Sequence, residues 1–180
     1  TLPASLTSLG ERAFYGCSAL ESISIPEGVT TIQAQTFSGC TSLTSATLHD
    51  GITSIKADAF YNTGLTSFVA PAALTTIGGE AFGSCKALEE IDLSKATGLT
   101  SIGDYAFHYC SAVKRLTINS DFTNTNTYIA TSANLESVTF GNNATTILNS
   151  FLSGKTKLTS VTLGTNIQTI GYSAFNGCSA

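Results

Sequence analysis

Apolar residues recur along the chain in three phased rows. One row is Leu20, Leu43, Leu65, Leu88, Val113, Leu135 and Leu158. Apolar residues usually follow three and five positions later, as in Ile23 and Ile25, Ile91 and Leu93, or Leu116 and Ile118. A second row is Leu9, Ile32, Ile55, Ile77, Ile102 and Ile170. A third, five residues on, is Phe14, Phe37, Phe60, Phe82, Phe107 and Phe175, of which the first five are spaced by 23, 23, 22 and 25. The shared unit is L-x-x-I-x-I-x-x-x-V-x-x-I-x-x-x-A-F-x-x-C-x-x.

The alternation I-x-I places two side chains on one face and predicts a short strand. The β-branched Ile, Val and Thr around it favour extended backbone. "PEG" at 26–28 turns the chain, and a second short extended piece ends at Ile32. "GGEAF" and "GDYAF" predict a single tight helical turn whose Phe plugs the core. One such coil cannot bury its own apolar side, whereas stacked copies share a continuous core. The expected architecture is a leucine-rich repeat solenoid of short parallel strands, turns and short helical segments, with a repeat of 22–25 residues.

The repeat is degenerate around 119–134, where Thr125 falls at the Ile position and the aromatic slot falls near Tyr128 to Ala130. The flanking strands keep phase, since Ile118 and Phe140 are 22 apart. The next unit offers Phe151 and Leu152 where Ala-Phe is expected, with Lys155 at the Cys position. A single domain over 1–180 is expected. Both ends fall inside a repeat and position 1 is not Met. The chain is therefore expected to be a fragment of a longer array whose native start is missing.

The phrases "ALESISIPEGVTTIQAQTFSGCTSL" (19–43) and "LTTIGGEAFGSCKALEEIDL" (74–93) closely resemble the BspA-like leucine-rich repeats. The consensus is matched by Leu88, Ile91, Leu93, Leu99, Ile102, Ala106, Phe107 and Cys110. The resemblance implies an elongated right-handed solenoid with one parallel sheet. It also implies a secreted or cell-surface protein of a bacterium or unicellular parasite. An extracellular or host protein is then the expected partner, with adhesion as the role. A non-catalytic spacer presenting another domain is the alternative, and an enzyme or enzyme subunit comes third.

Composition narrows the chemistry. Charged residues make up 11% of the chain and the net charge is -4, with no Lys/Arg patch of the kind that binds nucleic acid. No apolar run reaches transmembrane length, so direct membrane insertion is not expected. Five cysteines, Cys17, Cys40, Cys85, Cys110 and Cys178, share one repeat position. They are expected to be free, mostly buried thiols, with a disulfide between neighbouring coils as the alternative.

No catalytic, cofactor or metal site is expected. His108 near Cys110 reads as a surface residue beside a structural thiol rather than as half of a nucleophile pair. His49 is alone in a turn, and neither His has further ligands for zinc. "SIGDYAF" lacks a phosphate-loop pattern, and Asp50 and Asp58 do not form a calcium loop. Asn143-Ala144-Thr145 is an N-x-T triplet, which accepts a glycan only in a eukaryotic secreted protein. "TNTNTY" reads either as a ligand loop or as a tolerated loose coil.

The solvent side of the strand ladder carries mostly Ser and Thr. Glu89, Glu90 and Asp92 occupy one strand, Lys114 and Arg115 the next, and Glu136 the one after. This block is the candidate protein-binding face. Simple cross-strand charge pairing is the competing reading.

Overall fold

In the computed structural model, described for residues 1–122 and 132–180, the coils are built from short strands, two to a coil except in the coil of Arg115–Ile118, where one strand falls among the described residues. In chain order they are β1 Ser22–Ser24, β2 Thr31–Ile32, β3 Ser45–Thr47, β4 Ser54–Ile55, β5 Ser67–Val69, β6 Thr76–Ile77 and β7 Glu90–Asp92. They continue as β8 Ser101–Ile102, β9 Arg115–Ile118, β10 Ser137–Phe140, β11 Thr146–Ile147, β12 Ser160–Thr162 and β13 Thr169–Ile170. The result is a parallel-strand solenoid with two ladders. One runs β1-β3 and then β5-β7-β9-β10-β12; the other runs β2-β4-β6-β8 and then β11-β13.

Every pairing advances the chain by one repeat. Ser22 pairs with Ser45, Glu90 with Arg115, and Arg115 with Ser137. Equivalent residues therefore stack. Ile23, Phe68, Ile91, Leu116 and Val138 are buried beneath the first ladder, and Ile32, Ile55, Ile77, Ile102 and Ile147 beneath the second. Each such side chain stabilises the fold by about 1.5–3 kcal/mol relative to exposure.

The aromatic row forms a column. Phe14, Phe37, Phe60, Phe82 and Phe107 stack with centroids 5.4, 5.2, 5.2 and 5.0 Å apart. These spacings match a strand ladder and the offset stacking that aromatic rings prefer. In the later coil Leu152 is fully buried while Phe151 is half-buried and leans on Phe140 at 6.3 Å. Leu152 thus fills the column position and Phe151 stands where Ala is usual.

The expected short helical segments are not formed: the described residues contain no helix. The A-F segment is a run of turns for a definite reason. Arg12, Gln35, Asp58, Glu80, Tyr105, Ser150 and Ser173, each two residues before the column position, have φ between 50° and 60°. A left-handed residue interrupts a right-handed helix. Alternate amides then turn outward to the next coil, as Glu80 N–H bonds Asp104 O at 3.0 Å and Phe82 N–H bonds Ala106 O at 2.8 Å.

The degenerate unit falls largely at 123–131, outside the described residues. On either side of it β9 and β10 pair directly, Ile118 opposite Phe140. Burial weakens in the terminal coils, where β12 and β13 are exposed. A coil with a neighbour on only one side covers only one side of its apolar row.

Candidate functional site

The candidate block lies on β7, β9 and β10 and the residues just before them. Strand alternation sends Ile91, Leu116 and Val138 inward and leaves Glu90, Asp92, Arg115, Thr117, Ser137 and Thr139 toward solvent. Glu90 and Arg115 are direct register partners. Arg115 Nη2 donates to Glu90 Oε2 at 3.0 Å, and Lys114 Nζ lies 3.3 Å from Glu89 Oε1.

All four side chains are 39–51% exposed. Pairs this wet contribute little to stability. The hydrogen bond that Arg115 donates to Glu90, followed by the charges of Glu90, Glu89 and Glu136, raises Arg115 above the ordinary guanidinium value.

Asp92 differs from its neighbours. Its Oδ1 accepts the Ser94 N–H at 2.8 Å, and no cation pairs with it among the described residues. Glu136 continues the Glu89–Lys114 row through its backbone: its N–H donates to Lys114 O at 2.9 Å, and its own carbonyl accepts from Thr159 N at 2.9 Å. Its carboxylate makes no ion pair among the described residues. The structure therefore gathers the six predicted residues on one face, with Glu136 at its margin.

Around this block the outward positions are small hydroxyls, Ser22, Ser24, Ser45, Thr47, Ser67, Ser160 and Thr162, with Val69 the exception. Threonines at the coil edges reinforce stacking. Thr53 Oγ1 donates to Thr30 O at 3.2 Å, and Thr75 Oγ1 to Thr53 O at 3.1 Å.

The five cysteines are free thiols. Cys40, Cys85 and Cys110 are buried, Cys178 is half-buried and Cys17 is exposed. Each thiol but Cys17 donates one coil back to the carbonyl at the column position: Cys40 to Phe14, Cys85 to Phe60 and Cys110 to Phe82, all at 3.1 Å, and Cys178 to Leu152 at 3.2 Å. Cys17 has no preceding column residue to bond. Its hydrogen bond with Cys85, and then burial, push the Cys110 thiol far up, so it stays protonated. That is the opposite of an activated nucleophile.

His49 and His108 hold structural positions. His49 Nε2 lies 3.0 Å from Val29 O, and its Nδ1 lies 3.1 Å from Glu27 Oε2 and accepts the Gly51 N–H at 3.2 Å. His108 packs against Tyr109 and Tyr105, with ring centroids 3.8 and 5.1 Å away. Among the described residues no three His, Cys, Asp or Glu side chains cluster as metal ligands.

A feature that the residue pattern did not single out is the break in the first ladder between β3 and β5. An opening of about 220 Å³ lies there, edged by Ala46, Leu48, Val69 and the largely buried Phe68. The signal for it was Ala46, a small residue at a position that elsewhere holds Ile, Leu, Val or Phe.

Comparison with known proteins identifies the architecture. The family model for the BspA type leucine rich repeat region, in six copies, matches residues 1–89 and 53–180, which together span the chain. The fold is similar to that of the T. pallidum leucine rich repeat protein, with 25% identity and a TM-score of 0.66 over 99% of this chain and 75% of that one. It is also similar to a leucine-rich repeat protein from Bacteroides ovatus, with 23% identity and a TM-score of 0.51 over 98% of this chain and 63% of that one. A third similar structure, from Eubacterium ventriosum, has 22% identity and a TM-score of 0.54, covering 97% of this chain and 46% of that one. Comparison with curated proteins returned no match. The repeat phrase, the stacked phenylalanine column and the family model that covers every residue agree: this chain belongs to the BspA-type leucine-rich repeat family.

Proposed function

We propose that the chain is a non-catalytic protein-binding module of a secreted or cell-surface protein, serving adhesion to an extracellular or host protein. The observation that carries this reading is the charged block on a rigid sheet face. Glu89, Glu90 and Asp92 stand beside Lys114 and Arg115 within a field of serine and threonine hydroxyls. Repeat solenoids present continuous surfaces of this kind to partners. Exposed ion pairs, worth little to stability, are cheap to exchange for intermolecular ones.

The test is binding of the intact protein to a panel of extracellular host proteins. It is repeated with a variant carrying Glu89→Gln, Glu90→Gln, Asp92→Asn, Lys114→Gln and Arg115→Gln. Loss of about tenfold or more in affinity supports the block as the binding face. Equal binding by the folded variant removes it from that role.

A spacer that presents another domain is the second reading. The observation in its favour is that the four paired charges already satisfy one another, at 3.0 and 3.3 Å. Among the described residues the face around them also lacks the aromatic anchors typical of tight interfaces. It is selected if the intact protein captures none of the panel while deletion of repeats only shortens the reach of whatever it carries.

A further inference from the structure

We propose that the opening between β3 and β5 is a receptor site for an extended segment of a partner protein, one that lodges an apolar side chain in the opening and sets a lysine or arginine over Asp92. The inference rests on the protein-binding reading and adds a second, separately testable part to that face.

The opening has a cause in side-chain size. Ile23, Phe68, Ile91, Leu116 and Val138 fill the space beneath their strands, but the equivalent residue of β3 is Ala46. Phe68, which should cover the deficit from the next coil, leans the other way. Its ring centroid lies 4.3 Å from Phe82 of its own coil and 6.2 Å from Phe107 of the following one. The space above Ala46 is left open to solvent. Its volume of about 220 Å³ is several times the ~30 Å³ share of one water.

The ladder closes again on both sides. Thr66 N–H reaches Thr44 O at 3.4 Å before the opening, and Ala73 N–H bonds Asp50 O at 3.0 Å after it. Between these points main-chain groups lose their partners. In other coils Ile25 N–H bonds Thr47 O at 3.0 Å and Ala70 N–H bonds Asp92 O at 2.8 Å. The equivalent bond from Leu48 N–H to Val69 O is missing. Among the described residues the Leu48 donor and the Val69 acceptor thus stand without main-chain partners beside an opening edged by the accessible side chains of Ala46, Leu48 and Val69. A peptide fits this chemistry better than a purely apolar ligand, because its amide supplies both complements while a side chain enters the opening.

Charge selects among peptides. Asp50 and Lys95 pair loosely at the rim, 3.7 Å apart and more than half exposed. Val69, 49% exposed, is the register partner of Asp92 on β7. Glu89 and Glu90 are neutralised by Lys114 and Arg115, whereas Asp92 is left without a cation among the described residues. An apolar residue seated beside Val69 therefore places its neighbours close to an uncompensated carboxylate. The segment best matched is an apolar residue flanked by basic ones.

The test is titration of the isotope-labelled full chain with blocked pentapeptides, followed by amide resonances. The probes are acetyl-Gly-Lys-Leu-Lys-Gly-amide, its Lys-Ser-Lys analogue and its Glu-Leu-Glu analogue. Binding of the Lys-Leu-Lys peptide is expected to move the Leu48 and Val69 amides, with affinity about tenfold above that of the serine peptide. Asp92→Asn should weaken it about threefold and bring the two leucine peptides closer together.

Ala46→Ile places in β3 the residue type its equivalents carry, and is expected to abolish binding while raising the melting temperature. Val69→Lys, at an exposed position, should abolish binding without touching the core. The proposal is overturned if the Leu48 amide does not respond at millimolar peptide, or if Ala46→Ile and Val69→Lys bind like the parent. Failure of the charged block in the host-protein panel leaves these outcomes unchanged, so the two readings fail separately.

Discussion

The thiol of Cys85 donates to the carbonyl of Phe60, one coil back, at 3.1 Å, and Thr63 Oγ1 lies 3.1 Å from the same sulfur. Thr63 occupies the cysteine position of its own coil, so the position requires a small hydrogen-bonding group rather than sulfur chemistry. Cys85→Ala removes the donor to Phe60 and should cost about 1–3 kcal/mol, whereas Cys85→Ser keeps it and should cost less. Denaturant melts of the two variants measure the difference. Thiol titration of the denatured, unreduced protein should count five reactive groups, since all five are free. A count of three or fewer would show that disulfides form.

Coil contact crowds the glycine position occupied by Gly78, Gly103 and Gly171. A Cβ on Gly103 would lie 2.3 Å from Gly79 N, a backbone atom that cannot swing aside. Gly103→Ala should destabilise by about 1–3 kcal/mol in thermal or denaturant melts. Gly10, at the same repeat position in the first coil, has nothing within 4 Å of its Cβ site. Gly10→Ala should fall within about 0.5 kcal/mol of the parent.

Two residues after the column position, Gly16, Gly39, Gly154 and Gly177 take φ of 70–76°, and Ser84 and Tyr109 are held at 60° and 59°. A side chain there carries left-handed strain that glycine does not. Ser84→Gly should stabilise by about 0.5–1 kcal/mol, the strain relieved exceeding the added chain entropy. A lower melting temperature for this variant would contradict the strain argument.

Asp121 ties its coil to the next. Partial burial works against its charge, but hydrogen bonds from Thr145 Oγ1, Thr145 N–H and Thr146 N–H outweigh it and hold the carboxyl below its ordinary value. A depressed carboxyl contributes stability above its unfolded pKa, and loses it as pH falls through the folded one. Asp121→Asn should lower neutral-pH stability by about 1 kcal/mol, a figure kept small because the group is largely exposed. The gap from the parent should close in acid, as read from melts between neutral and strongly acidic pH.

Lys155 sits in the cysteine position of its coil, where burial pushes its pKa below the ordinary ammonium value despite an opposing pull from Cys178. A lysine depressed in the fold binds protons more readily when unfolded, so stability rises as pH climbs through the folded value. Lys155→Thr should raise the melting temperature slightly at neutral pH, a small effect because the half-exposed ammonium is screened by solvent, with the advantage shrinking in alkali. Melts that show a constant or growing advantage with pH would rule out desolvation as the cause.

The phased Leu, Ile and Phe rows were enough by themselves to determine the solenoid, its parallel strands and its repeat length, because a period of 22–25 leaves stacking as the way for every coil to bury its apolar side. The grouping of Glu89, Glu90, Asp92, Lys114 and Arg115 was legible for the same reason: equivalent positions become register partners. The turn conformation was not legible. "GGEAF" and "GDYAF" satisfy helix propensity locally, but Glu80 adopts left-handed φ because its amide bonds the next coil, a preference that exists only once coils stack. Ala46 signalled a deficit in the pattern but not whether it stays open, because the missing volume in one strand could have been filled by Phe68 from the next. The tertiary structure decided otherwise, because Phe68 packs against the rings of Phe82 and Phe107, at 4.3 and 6.2 Å.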